Sequence, residues 1–187
     1  MQTTNPIVYY IIGAIVVVVI VAIIAAVASR SARSRRLQQH FGQEYDRTVR
    51  TKGDRATAER ELSSRVERVK RMHIEELPAG ARDRYAEEWR TVQTRFVDQP
   101  REALQQADSL VANVMRDRGY PMSDFDQQAA DISADHPQVV DNYRIAHGIA
   151  ERNDRGEVNT EDLRQAMVHY RTLFNDLLGT DERTSTR

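Results

Sequence analysis

Residues 7–28 read IVYYIIGAIVVVVIVAIIAAVA, 22 positions without a charge. A helix of that length rises ~33 Å, enough for a hydrocarbon core of ~30 Å with slight tilt. The first 29 residues carry no charged side chain, and Arg30, Arg33, Arg35 and Arg36 follow at once. Positive charge beside an apolar span marks its cytoplasmic side. The pattern predicts one transmembrane helix over 7–28, with residues 1–6 outside and the C-terminal body in the cytoplasm. Tyr9 and Tyr10 fall where an aromatic belt meets the outer headgroups. Asn5-Pro6 makes a natural outer boundary, because proline in the first helical turn costs no helical hydrogen bond.

A cleaved signal peptide is the competing reading. Ala26-Val27-Ala28 before Ser29 has the small-residue pattern of a cleavage site, which would release a secreted body. Against it, residues 1–6 contain no Lys or Arg, the apolar run is longer than a signal core, and four arginines lie directly beyond it. The same arginines are candidate contacts for anionic lipid headgroups. Ala22 and Ala26 form a small-xxx-small pair, which keeps homo-oligomerisation through the span open.

Beyond Ala28 about a third of the residues are apolar and about a third are charged. That is a lean core under a charged surface, better suited to amphipathic helices than to a deep catalytic pocket. Acids and bases nearly cancel overall, at a formal net charge of −1, so no general nucleic-acid footprint is expected. Arginine outnumbers lysine 25 to 2, a balance expected of GC-rich coding. The chain has no cysteine, which excludes disulfides, thiol catalysis and Cys-ligated metals.

The body reads as helix throughout. Leu37, Phe41, Tyr45 and Val49 recur every four residues, a stripe on a helix continuing from the span. Gly53-Asp54 breaks it, and Asp54 is placed to cap a second helix carrying Ala58, Leu62, Val66, Val69 and Met72. Tyr85, Trp89, Val92 and Phe96 stripe a third. Pro100 opens a fourth that Gly119 stops. Ser123 with Asp126 resembles a capping box for a short helix. Pro137 begins the next pattern, and Thr160-Glu161-Asp162 opens the last, which ends at Gly179. No segment alternates with period two. The class expected is all-α: a transmembrane helix, then an antiparallel bundle of about five to six helices. Its parts would be a basic juxtamembrane segment and charged hairpin or stalk over 29–76, a bundle over 77–179 and a disordered tail over 180–187.

No constellation announces a chemistry. His136, His147 and His169 lack ligand spacing, and Asp124, Asp126, Asp131 and Asp135 do not follow the calcium-loop pattern. Tyr143 and His147, at i and i+4, read as a helix-stabilising pair. There is no phosphate loop and no Gly-x-Ser-x-Gly elbow. No cofactor or metal and no enzyme activity is expected. The stripe of Tyr85, Trp89 and Phe96 is either core or a groove for a partner peptide, with core the commoner outcome for such a stripe.

Four stretches together, Phe41 to Val49, Phe96 to Pro100, Arg118 to Pro121 and Thr160 to Arg171, resemble an uncharacterised family of small single-span helical proteins of high-GC bacteria, described as hypothetical membrane or secreted proteins. The resemblance implies a small anchored helical protein and carries no catalytic residues. The sequence therefore leads to a membrane-anchored interaction or scaffold protein. Its partners would be the bilayer and a protein that the sequence does not name. The alternative is an envelope-facing protein, secreted or anchored, in cell-wall or stress physiology.

Overall fold

A computed structural model describes residues 6–179, with side chains described at Ile15 and from Val18 onward. Residues 1–5, the tail 180–187 and the side chains of Tyr9 and Tyr10 lie outside the described residues, and so do the expectations placed on them. The chain divides into two compact units, Met1–His40 and Phe41–Arg187.

Described residues hold eight helices and no strand, so the molecule is all-α. They are α1 (Pro6–Phe41), α2 (Gln43–Lys52), α3 (Arg55–Val69), α4 (Ala79–Arg95), α5 (Pro100–Asp117), α6 (Phe125–Asp135), α7 (Val140–Asp154) and α8 (Thr160–Leu177). Seven helices follow α1, where five to six were expected. The extra break falls at Gly42, whose φ of 50° stops α1 and lets α2 start afresh. A four-residue stripe does not reveal such a break, because Phe41 and Tyr45 are buried on either side of it. Among the described residues no helix is long and apolar enough to cross a membrane. Of the 7–28 run, the side chains described are Ile15 and Val18 to Ala28.

Caps set most boundaries. Asp54 accepts the Thr57 amide at 2.8 Å, Pro100 is the first residue of α5, and Asn159 with Asp162 closes a reciprocal capping box. Two expected starts move. Asp124, not Ser123, caps α6 by accepting the Gln127 amide at 2.9 Å. Past Pro137 a turn intervenes, so α7 begins only at Val140.

Within Phe41–Arg187 the cross-helix bonds give the directions. Tyr85 at the start of α4 reaches Asp117 at the end of α5, so these two run antiparallel. Gln105 with Asp154 and Asn153 with Arg101 make α5 and α7 antiparallel, and Asn142 with His169 does the same for α7 and α8. Arg101 on the Val158 carbonyl and Arg118 on the Leu177 carbonyl make α5 and α8 parallel. The core lies among these four, with Leu104, Val111, Met115, Tyr170 and Phe174 almost fully buried and Ile132 of α6 joining them. The α2–α3 hairpin packs through α3 on α6.

Gly119 has to be glycine. It ends α5 with a φ of 97°, inside a Schellman arrangement of Tyr120 N–H on Met115 C=O and Gly119 N–H on Arg116 C=O. A Cβ there would stand 2.2 Å from the His73 carbonyl oxygen, so the α3–α4 connection runs against bare backbone.

Candidate functional site

The described apolar stretch of α1 is uncovered on every side. Ile15, Val18, Val19, Ile20, Val21, Ile23, Ile24 and Val27 are between 49% and 67% exposed. Those positions span all faces of the helix, which therefore has no polar side to give to water. Ser29, at the end of the run, returns its hydroxyl to the Ala26 carbonyl at 2.9 Å and satisfies itself within the helix. Arg30, Arg33, Arg35 and Arg36 are exposed on the same continuous helix. At ~100° per residue they lie at about 0°, 300°, 140° and 240°, a collar rather than a stripe.

The charge balance along the chain is lopsided despite its small total. Residues 30–72 hold 13 Lys and Arg against six Asp and Glu, while 73–179 hold 12 against 20. The small total conceals this division, which a count in halves of the sequence reveals.

Tyr85 and Trp89 are core. Trp89 stacks on Phe174 with ring centroids 4.8 Å apart, and Tyr85 donates to Asp117 at 2.6 Å. Burial pushes the Tyr85 phenol up to about 12, and the Asp117 carboxylate adds to the rise. Phe96 is half-buried against the same core. The three side chains do not form an open groove.

Two histidines sit in polar clusters. His136 has Arg118 Nη1 at 3.2 Å from its Nε2, and its Nδ1 meets Asp176. A guanidinium only donates, so Nε2 accepts and the ring proton is on Nδ1, donated to Asp176. Both ring nitrogens are thus committed, and the cluster ties α5, α6 and α8 together instead of offering a base. Burial raises the Asp176 carboxyl, but His136, Gln138 and Arg118 outweigh it and hold the group below its ordinary value. His147 stacks on Phe125 with centroids 3.8 Å apart, its Nδ1 3.6 Å from Asp108. That separation is beyond a hydrogen bond, and no nucleophile adjoins it among the described residues. Asp108 accepts from Tyr170, and His147 with Tyr170 holds its carboxyl low against the opposing effect of burial. Among the described residues no group of His, Cys, Asp and Glu is arranged to hold a metal.

The most heavily engaged charge was not singled out from sequence. Glu44 of α2 is only 2% exposed and lies among three arginines. Arg144 of α7 grips it with two bonds of 2.7 and 2.8 Å, and Arg65 of α3 donates at 2.8 Å while also reaching Ser133 of α6 at 3.1 Å. Arg47 stands 3.9 Å away. Burial alone would raise the Glu44 carboxyl, yet Arg144 and Arg65 hold it below its usual range. Nearby, Arg68 pairs with Asp131 at 2.7 Å, and Gln127 bonds the same carboxylate at 2.9 Å. A cleft of about 390 Å³ opens beside Glu44, bordered by Arg47, Lys52, Glu61 and Asp126. Its rim carries both signs, unlike the apolar lining of most small-molecule sites.

No family model, curated protein sequence or solved structure matches this chain.

Proposed function

We propose that this is a membrane-anchored helical interaction protein, in which residues 7–28 span the bilayer and the body holds a partner at the cytoplasmic face. The observation that carries the reading is the apolar stretch of α1, exposed around its whole circumference. Such a surface is unstable in water, at roughly 25 cal/mol per Å² of apolar area, and a hydrocarbon environment removes that cost. The arginine collar supports the orientation. Cations just beyond a span favour the cytoplasmic side and gain ~1 kcal/mol each near anionic headgroups.

The division of charge supports the scaffold half of the reading. The cation-rich 30–72 segment follows directly on the apolar run, while the acid excess beyond residue 73 is repelled by an anionic surface and remains available to a partner. The small-xxx-small pair of Ala22 and Ala26 leaves room for two spans to associate. Retention of the span is favoured by the helix running unbroken through Ala28 and Ser29, since proteolysis needs a locally opened segment.

The cysteine-free chain makes the test direct. A single Val97→Cys at a position 80% exposed is labelled with a membrane-impermeant maleimide in intact and lysed cells. Labelling only after lysis, with the protein kept in membranes through an alkaline wash, is the expected result. Labelling in intact cells, or a mature protein beginning at Ser29, overturns the orientation and leaves the envelope-facing reading. A detergent-extract pull-down that recovers no specific partner overturns the scaffold assignment.

A further inference from the structure

We infer that the α2–α3 hairpin is a latched subdomain, which opens away from α6 and α7 as a unit while α4–α8 stay folded, with Glu44 as the latch. The inference concerns Phe41–Arg187 alone and does not depend on the anchor.

Three observations carry it. First, the hairpin holds itself together. Tyr45 of α2 and Ala58 and Leu62 of α3 are buried yet lie outside the contiguous core of the bundle. Tyr45 donates to Glu59 at 2.8 Å and accepts from Arg55 at 2.9 Å, which binds α2 to α3 directly.

Second, the bonds across the junction to the rest of the molecule are polar. Glu44 reaches Arg144 across 100 positions of sequence, Arg65 reaches Ser133, and Arg68 reaches Asp131. A buried ion pair is specific in geometry but weak in net effect, because the lost hydration of both charges offsets most of their attraction. Lifting the hairpin re-solvates these groups and bares only the small apolar face of α3 around Leu62 and Val69, whereas opening the bundle would expose the larger set of Leu104, Tyr170 and Phe174. The hairpin should therefore open at lower free energy than the whole domain.

Third, the connection contains a hinge with one fixed side. Val69 to Met72 is a turn of local backbone bonds. From His73 onward the chain is pinned to the bundle: the Glu75 N–H donates to the Arg118 carbonyl at 2.9 Å, and the His73 carbonyl packs on Gly119. Rotation at 70–72 moves α3 without disturbing either contact.

The test is native-state hydrogen exchange on the full chain in detergent, at increasing low denaturant. In the wild type the amides of α2 and α3 should exchange at least tenfold faster than those of α5 and α8, through an opening with a smaller denaturant dependence than global unfolding. Glu44→Gln, which removes the buried charge that Arg65 and Arg144 share, should raise exchange in α2 and α3 by at least another tenfold and leave α5 and α8 unchanged. Arg68→Gln, removing only the outer pair, should give a smaller increase confined to the same segment. Equal exchange free energies for α3 and α5 in the wild type, or acceleration shared equally by all helices in Arg68→Gln, would overturn the latch. The wild-type measurement decides the matter even if Glu44→Gln fails to fold.

Discussion

The stretch of α1 before Ser29 and the four helices α4, α5, α7 and α8 are built from the same kind of residue and use it in opposite ways. In the four helices, apolar side chains occupy one face and meet, so Leu104, Val111 and Tyr170 reach zero exposure. In α1 they occupy every face, and Ile and Val remain half to two-thirds exposed. Amphipathicity lets a helix find its partners within the chain, whereas uniform apolarity requires an environment from outside it. The α2–α3 hairpin is an intermediate case, with a few buried apolar residues outside the bundle's core and a charged junction.

The bundle half of that comparison breaks most severely in the core. Leu104→Ala should lower the unfolding free energy by about 2–5 kcal/mol, read from chemical denaturation in detergent. Ile20→Ala, in α1, should leave that denaturation midpoint unmoved. A large shift from Ile20→Ala would mean that α1 is part of the cooperative fold.

Gly119→Ala comes next, at about 3 kcal/mol. It sets a Cβ into the His73 carbonyl and forces a side chain onto a positive φ. Calorimetry should show the loss, and a value under about 1 kcal/mol would mean that the α3–α4 connection yields freely.

Ile20→Lys sharpens the other half. If residues 7–28 span a bilayer as proposed, a lysine at the helix centre costs ~2.5–3.5 kcal/mol of insertion, so vesicle co-sedimentation should fall while the bundle's melting temperature holds. Unchanged partition would count against the bilayer as the covering environment.

Acid supplies the smallest and most diffuse effect. Glu44, Asp108 and Asp176 all sit below their ordinary values in the fold. Their stabilisation is complete above the unfolded carboxylate range near ~4 and is lost as pH falls through that range toward the folded values. Thermal midpoints should stay flat from about pH 7 to about pH 5 and drop below about pH 4. A rise on acidification would contradict the ion-pair assignments.

How far this was legible from sequence varies by element. Asp54, Pro100, Gly119 and Gly179 mark helix ends because capping and backbone conformation act over a few residues. Gly42 gave no such sign, since the stripe of Leu37, Phe41, Tyr45 and Val49 runs across it with its spacing intact. The arginine collar was readable as a run of charge. The Glu44 cluster was not. In a chain with 25 arginines, nothing local selects Arg144 as the partner of a carboxylate 100 positions away.

By itself, then, the sequence determined that the chain is helical, where most helices begin and end, and that one stretch is apolar on all sides. Those properties follow from periodicity and from hydrogen bonds between residues at most four apart. Only the tertiary structure decided which helices run parallel, that Tyr85 and Trp89 are core, and that Glu44 joins α2 to α3 and α7. Each depends on the register between helices, which is set by how whole faces pack and not by any short stretch of chain.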